Sequence, residues 1–299
     1  MLISKTYSEI IDHDSLPSIK VFAIGEDAIS AMSSVAELYE GCINYIALSV
    51  NLNELTSSKA NIQLLVDNTA KNEHAKLIPK IKCLVKETDL VIIIADMQNT
   101  LYSNIAVEIA KASIAEDNLT VAIENSATQE RDSNPNILDF EKALDAVINV
   151  NDGIIDLGKN SDDKTLDDKK IASELIAKAV NIIVYPLVYI SFIAIDYADL
   201  KSLLKKSGKN VVATLKSTSI SNLKAFVERL HLKPRGSLFN ISTNSNFLTS
   251  DFKKVLDEIE RCFDDDCKEH VCLYLDDSIP KDTFNISIYM VTGSKSTAF

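Results

Sequence analysis

Short runs of branched apolar residues alternate with amphipathic stretches along the first half of the chain. Six such runs are typical of strands: residues 21–24, 45–50, 61–66, 90–95, 119–123 and 147–150. Four stretches between them carry apolar residues at helical spacing: residues 28–39, 74–86, 105–115 and 137–144. Strands that alternate with helices pair in parallel, so the pattern predicts a Rossmann-like sheet with its ligand crevice beyond the carboxyl ends of the strands.

A long apolar helix is predicted from residue 171 to about residue 188. Thr165-Leu166-Asp167-Asp168 matches a capping box in front of it. Pro186 is expected to kink or end the helix, because an interior proline removes a backbone hydrogen bond. The apolar run 179–195 is slightly short for a membrane span and contains polar residues, which favours a buried central helix over a transmembrane one.

Beyond this helix the pattern predicts a smaller α/β unit. Its helices are expected at 199–206, 221–230 and 251–263, and its strands at 210–215, 238–242, 270–275 and 284–291. In the last strand Ile286 and Ile288 alternate with Ser287 and Tyr289, which predicts one buried face. The domains therefore divide into an N-terminal arm at 1–18, a nucleotide-binding-type domain at 19–165, a central helix at 166–190 and a C-terminal α/β domain at 191–299.

The net charge of -12 and the pI of about 4.9 argue against nucleic acid and anionic membranes as main partners, since both select basic surfaces. Five scattered cysteines and the lack of a signal-peptide pattern favour the cytoplasm. Cys262, Cys267, His270 and Cys272 raise the possibility of zinc, but they contain no CxxC pair and are expected to be structural. No metal site, no nucleic acid and no direct membrane insertion are therefore predicted.

The first strand-to-helix turn, after Ile24, contains a single glycine, Gly25. A loop that wraps phosphate needs several residues without Cβ, so that successive N–H groups approach the anion. Glu26 and Asp27 follow and place two carboxylates in the first helical turn, where they suit the helix dipole but repel a triphosphate. The turn therefore predicts weak or absent phosphate binding.

Several segments resemble the FtsZ branch of the tubulin/FtsZ superfamily over roughly residues 19–293. The similar segments are 20–25, 45–51, 89–97, 107–111, 119–122, 151–152 and 195–200. The resemblance implies the tubulin/FtsZ fold: a Rossmann-like N-terminal domain, a long central helix and a smaller α/β C-terminal domain. It also implies a cytoskeletal or cell-division protein that assembles into filaments and binds GTP or GDP with magnesium.

The family's phosphate loop, GGGTGTG, is replaced here by residues 98–104, Gln-Asn-Thr-Leu-Tyr-Ser-Asn. Leu101 and Tyr102 cannot adopt left-handed backbone angles without a cost of about 1–2 kcal/mol each. The resemblance places a vestigial nucleotide site at eleven residues: Gly25, Glu26, Asp27, Ser49, Asn51, Thr100, Ser103, Asn104, Asn151, Lys169 and Ser173. At the position of Lys169 the family has an aromatic residue that stacks on guanine. At the positions of Ser173 and Glu174 it has an Asn-Asp pair that hydrogen-bonds the base.

Asp196 and Asp199 match the family's catalytic loop, whose carboxylates act on the nucleotide of the next subunit in a filament. From the residues alone, two carboxylates three positions apart at a helix start share a face and are able to order a water or a cation. The alternative is that they only cap the helix that begins near Tyr197. Ala194 replaces a family asparagine in this loop, which favours the capping alternative.

Two functions follow from these expectations. The first is a filament-forming, capping or regulatory partner, of itself or of an authentic FtsZ through longitudinal contacts, that has lost GTP binding and hydrolysis and needs no cofactor. The alternative is an active FtsZ-type GTPase that binds GTP with magnesium through side chains such as Thr100, Ser103 and Asn104. A third possibility, a cleft reused for another small molecule, has no residue that names its ligand.

Overall fold

The computed structural model describes residues 16–67, 73–124, 140–151, 154–156, 168–206, 208–217, 219–247, 249–263 and 266–293. The chain divides into two compact units, each with its own sheet. The first unit is formed from residues 14–154 and 164–181, and the second from 155–163 and 182–299 together with the N-terminal residues. Of the predicted helix at 137–144, residues 140–144 are described, and 140–142 of these are helical. The capping box at 165–168 lies outside the described residues except for Asp168.

The sheet of the first unit has six parallel strands in the order β3-β2-β1-β4-β5-β6. They are β1 Ile19–Ile24, β2 Ile43–Ser49, β3 Ile62–Leu65, β4 Leu90–Ala95, β5 Leu119–Glu124 and β6 Ala146–Asn149. β4 and β5 are buried along their whole length, as in parallel sheets that are covered on both faces. The predicted Rossmann-like sheet is confirmed.

Among the described residues, the helices that accompany this sheet include α1 Glu26–Ala36, α2 Leu52–Ser57, α3 Glu73–Leu84 and α4 Thr100–Ala115. α1 continues as a 3-10 turn, Glu37–Tyr39. Apolar residues of α4 such as Ile105 and Ile109 pack into the same core as the strands. α4 begins at Thr100 and not at residue 105, so most of the segment expected to form a loop is the first turn of a helix.

The second unit has a mixed sheet in the order β10-β9-β11-β8-β7. Its elements are β7 Ile154–Asp156, α6 Tyr197–Leu204, β8 Lys209–Ser217, α7 Leu223–Glu228, β9 Pro234–Thr243, α8 Thr249–Glu260, β10 Lys268–Leu275 and β11 Phe284–Thr292. β9 and β10 run parallel, whereas β11 is antiparallel to β8 and to β9. The smaller α/β unit is therefore confirmed.

β11 corrects one expectation, because it does not bury a single face along its whole length. Tyr289 is 1% exposed, although its position on the alternate face predicted a polar environment. Its hydroxyl donates a hydrogen bond of 2.6 Å to Asn210 Oδ1 on the neighbouring strand β8. The second half of the strand is covered on both sides, and a buried phenol is tolerated there because its hydroxyl has a partner.

The central helix α5 spans Asp168–Val188 and contains Pro186. A proline has no N–H, so the carbonyl of Ile182, four residues earlier, lacks its helical donor. Asn240 on β9 replaces that donor, since its Nδ2 donates to Ile182 O at 3.0 Å. The helix ends two residues after the proline, as expected.

The segment Ile171–Val188 of this helix is long and apolar enough to span a membrane by length and composition alone. It has a mean hydropathy of 1.6 and is half buried, a combination that core helices of soluble proteins also show.

Candidate functional site

A cavity of about 300 Å³ lies at the carboxyl ends of β1, β4 and β5, where ligands of doubly wound sheets bind. Apolar side chains form much of its wall: Ile24, Ala28, Ile94, Ala95, Ile123, Ala172 and Ile176. Gly25, Tyr102 and four carboxylates complete the lining. The volume is at the lower limit of small-molecule pockets, which measure about 300–1,000 Å³.

The ring of Tyr102 packs directly against the backbone of Gly25. Gly25 has φ 88° and ψ 172°, a conformation that is essentially restricted to glycine. A Cβ added there would lie 2.7 Å from Tyr102 Cε2. In a phosphate-binding loop the space beside this turn is open to the ligand. Here the aromatic ring of Tyr102 occupies that space.

The first turn of α4 satisfies its own N–H groups. Asn99 caps the helix, and its Oδ1 accepts from the N–H of Leu101 at 3.0 Å and from that of Tyr102 at 3.3 Å. The Ser103 N–H donates to Asn99 O at 2.8 Å. Since the amides at a helix start are the groups that bind phosphate, this cap uses donors that an anion would need.

Thr100, Ser103 and Asn104 were the side chains expected to hold phosphate in the GTPase alternative. The buried Ser103 hydroxyl donates to Thr100 O at 3.0 Å, inside the helix. Thr100 is exposed and Asn104 is half-buried, and none of the three is among the residues that line the cavity. Hydroxyls that bond the preceding turn of their own helix are not directed at a ligand.

The carboxylates that line the cavity are Glu26, Asp27, Glu54 and Asp96. Glu26 and Asp27 lie in the first turn of α1, and Asp96 follows β4. Asp96 Oδ1 accepts from the N–H of Gln98 at 3.0 Å, which orders the turn before α4. No lysine, arginine or histidine is among the lining residues that the structure describes, so these residues give the site a negative potential.

A hydrogen-bond network after β2 holds Glu54 at the cavity. The buried Ser49 hydroxyl donates to Glu54 Oε2 at 2.6 Å, and Asn51 Nδ2 donates to Glu54 Oε1 at 2.9 Å. Asn51 also caps α2 by accepting from the N–H of Asn53 at 3.0 Å. Sequence reasoning missed Glu54, although an asparagine followed three residues later by a glutamate is a recognisable capping pattern.

The remaining predicted pocket residues do not line the cavity. Asn151 is exposed, and its N–H donates to Asn149 Oδ1 at 2.8 Å. Ser173 is half-buried on α5, and the side chain of Lys169 lies outside the described part of the chain. The lining residues from α5 are instead Ala172 and Ile176, which carry no hydrogen-bonding side chain.

In the second unit, Asp196 is the N-cap of α6. Its Oδ1 accepts from the N–H of Asp199 at 2.7 Å. Asp199 Oδ1 lies 3.8 Å from Nδ1 of the buried His270. Burial lowers the pKa of His270, with opposition from the neighbouring Asp199 charge, so the imidazole is neutral at pH 7. One oxygen of Asp196 thus has a capping role, and the structure brings both carboxylates to the helix start as expected.

We expect Asp196→Ala to lower the free energy of unfolding by about 1 kcal/mol, the usual value of an N-cap. Asp196→Asn should retain stability because an amide oxygen also accepts the N–H bond. Urea denaturation of the three proteins measures the difference. Equal stability of Asp196→Ala and the native protein would show that the cap is energetically unimportant.

The four residues considered for zinc do not form a metal centre in the described structure. No group of three or more His, Cys, Asp or Glu side chains within the described ranges is arranged to hold a metal. Burial raises the pKa of Cys262 to about 12 and that of Cys272 to about 11. Both thiols are therefore protonated at neutral pH when no metal is bound.

No protein-family model and no curated protein matches this chain. Among solved structures, it is similar to a mutant FtsZ from M. jannaschii, with 16% identity, a TM-score of 0.77, and coverage of 94% of this chain and 92% of the other. An empty FtsZ dimer from M. jannaschii matches at 15% identity and TM-score 0.76, covering 93% and 89%. CetZ from Methanosaeta thermophila matches at 11% identity and TM-score 0.68, covering 92% and 87%. These similarities show the fold.

Proposed function

We propose that this chain, which has the tubulin/FtsZ fold, is a cytoplasmic cytoskeletal protein that neither binds nor hydrolyses GTP. It acts as a filament-forming, capping or regulatory partner, either of itself or of an authentic FtsZ-type protein. This role assigns no chemical step to the cavity and needs no cofactor.

The contact between Tyr102 and Gly25 carries the proposal. A phosphate at this turn requires open space beside the glycine and free amides at the start of the next helix. Here the ring packs on Gly25, and Asn99 already accepts from the amides of Leu101 and Tyr102. The residues present therefore do not fit a nucleoside triphosphate.

The charge of the lining supports the same conclusion. Two like charges about 4 Å apart near a protein surface repel by about 4 kcal/mol, and a triphosphate would meet four carboxylates. Magnesium would have to offset this repulsion without help from a lysine or arginine among the described lining residues. GTP binding would thus have to overcome both steric and electrostatic opposition.

The role as an interaction partner rests on the fold together with the loop at Asp196 and Asp199. The family resemblance assigns this loop to the contact with a neighbouring subunit, and in this chain both carboxylates are partly or fully exposed. One of the similar solved structures is an FtsZ dimer. Retention of a contact loop beside a blocked pocket favours assembly without nucleotide turnover.

The test combines nucleotide binding with assembly. Native protein is denatured after purification and its supernatant is analysed for guanine nucleotide, and fresh protein is titrated with GTP and magnesium by calorimetry. We expect no released nucleotide, no binding heat and no phosphate release. Sedimentation and electron microscopy, alone and with an authentic FtsZ, should show assembly or co-pelleting that is the same with and without GTP.

An authentic FtsZ treated in parallel is the positive control for binding, hydrolysis and pelleting. Micromolar GTP affinity with phosphate release would overturn the loss of nucleotide function and support the GTPase alternative. Failure to assemble, cap or co-pellet under every condition would overturn the role as a filament partner.

A further inference from the structure

The six-stranded sheet ends at β3, which pairs with β2 along one side only in the described structure. The strand is poorly covered, since Ile62, Gln63 and Leu65 are exposed and Leu64 is half-buried. Two other outer strands are protected. β6 is mostly buried, and the outer edge of β10 is bridged by Ile193 from a neighbouring loop.

The sequence of β3 lacks the usual protection of an edge strand. Such strands commonly carry charged residues or proline, which discourage pairing with another chain. Residues 60–66, Ala-Asn-Ile-Gln-Leu-Leu-Val, contain neither. Of the seven large apolar side chains that are exposed among the described residues, four lie in this part of the chain: Val50, Leu52, Ile62 and Leu65. An exposed, uncharged edge favours pairing with a further strand.

The hydrogen bonds to β2 show which backbone groups of β3 face outward. Val66 N–H donates to Ser49 O at 2.8 Å, and Ser49 is the register partner of Leu65. In a parallel pair, residues that bond the neighbouring strand alternate with residues directed away from it. Leu64 and Val66 therefore face β2, whereas Gln63 and Leu65 present their N–H and C=O groups at the outer edge.

We propose that β3 pairs in antiparallel fashion with β3 of a second copy of this chain, about a two-fold axis at Gln63. The two Gln63 residues then lie opposite each other and exchange hydrogen bonds through their outward-facing groups. Each copy uses the same strand, so the contact is isologous and forms a closed dimer. The inference goes beyond the proposed function. It involves neither the cavity nor the loop at Asp196, and it does not depend on the loss of GTP binding.

Charges at the two ends of β3 favour this register. Lys59 precedes the strand and Asp67 follows it, and both are exposed. The axis at Gln63 brings Lys59 of each copy opposite Asp67 of the other. Ile62 of each copy likewise lies opposite Leu64 of the other, so apolar side chains meet on the same face. Opposite charges and apolar pairs directly across two strands both stabilise a sheet.

A proline substitution tests the backbone pairing. Sedimentation velocity over a dilution series from about 100 μM should show a weak monomer–dimer equilibrium for the native protein, because two short strands form a small interface. Gln63→Pro should weaken dimerisation by at least about tenfold, since it removes an N–H that faces outward and leaves the bonds to β2 intact. Gln63→Thr keeps the N–H and should remain within about twofold. Circular dichroism and thermal unfolding establish that both variants are folded.

Cysteine substitution tests the register, in a Cys83→Ser background that removes an exposed thiol. Gln63→Cys should form a disulfide-linked dimer under mild oxidation, because the Cα atoms of such a pair are about 5.5 Å apart. Asn61→Cys is the matched control. Two copies of it lie about 14 Å apart along the strands and should not cross-link. A mixture of Asn61→Cys and Leu65→Cys proteins should cross-link, since these positions face each other.

Charge exchange tests the contacts at the strand ends. Lys59→Asp places two carboxylates opposite each other and should weaken the dimer several-fold. It also removes the pair of Lys59 with Glu37 in its own chain. Asp67→Lys should weaken the dimer in the same way. The double variant Lys59→Asp/Asp67→Lys restores opposite charges across the axis, so it should dimerise more tightly than either single variant.

Three results would overturn the inference: a native protein that stays monomeric throughout the series, equal dimerisation of Gln63→Pro and Gln63→Thr, or cross-linking of Asn61→Cys as fast as Gln63→Cys. If Gln63→Pro folds poorly, the cross-linking experiment decides alone. Each of these results leaves the proposed function unchanged, because that function is tested by nucleotide binding and by assembly or co-pelleting with FtsZ.

Discussion

Gly25→Ala should lower the free energy of unfolding by about 3 kcal/mol, one of the largest effects expected from a single methyl group in this protein. Two costs contribute. The backbone at φ 88° and ψ 172° is essentially restricted to glycine, which alone costs about 1–3 kcal/mol. The added Cβ would also stand 2.7 Å from Tyr102 Cε2, and overpacking of this kind costs a similar amount.

A double-mutant cycle with Tyr102→Ala separates the two costs. In the Tyr102→Ala background the steric part disappears, so Gly25→Ala should cost only the backbone part. Gly293→Ala is the matched control, since its φ is not positive and an added Cβ would meet Arg235 at an ordinary distance of 3.4 Å. Denaturant unfolding measures all variants. An equal cost of Gly25→Ala in both backgrounds would contradict the packing of Tyr102 on this turn.

Asn240→Ala should lower the free energy of unfolding by about 2–3 kcal/mol. The substitution removes the donor that serves Ile182 O, and a buried carbonyl left without a partner costs about 1–3 kcal/mol. Asn240 is 7% exposed and Ile182 is 2% exposed, so water cannot easily replace the bond. Urea denaturation gives the difference from the native protein.

Pro186→Ala is the test of the mechanism. It restores an N–H four residues after Ile182, so the cost of Asn240→Ala should be smaller in the Pro186→Ala background. Asn118→Ala is the matched control, because the buried Asn118 Nδ2 donates to Val85 O at 2.7 Å without a proline nearby. Its cost should be the same in both backgrounds. If Asn240→Ala costs the same with and without Pro186, the Asn240 side chain does not stabilise the protein by replacing the helical donor of Ile182 O.

The alternation of strands and helices was recognisable in the sequence because parallel strands buried on both faces are continuous apolar runs. β4 and β5 are such runs, and their predicted bounds match the structure to within one residue. The start of α4 was predicted five residues late, because Leu101 is the one aliphatic residue from Thr100 to Asn104 and this turn does not show the apolar spacing of the rest of the helix. Burial of Tyr289 was also missed, since its environment depends on a partner, Asn210, that is 79 residues away.

The candidate site was predictable only in part. Gly25, Glu26 and Asp27 follow the first strand directly, and sequence alone placed them at the crevice. The capping pattern of Asn51 and Glu54 is visible in the sequence, but not that Glu54 lines the cavity. The contact of Tyr102 with Gly25 and the position of Ala172 and Ile176 likewise depend on the packing of different elements.

The sequence by itself determined the order of elements, the net charge of -12 and the lack of glycines in the segment that replaces the phosphate loop, because these depend on composition and on spacing along the chain. Only the tertiary structure decided that the ring of Tyr102 lies against Gly25 and that Asn240 donates to the carbonyl of Ile182, which Pro186 leaves without its helical donor. Each of these depends on a contact between residues far apart in the sequence, and such contacts are set by how the buried faces of separate elements pack together.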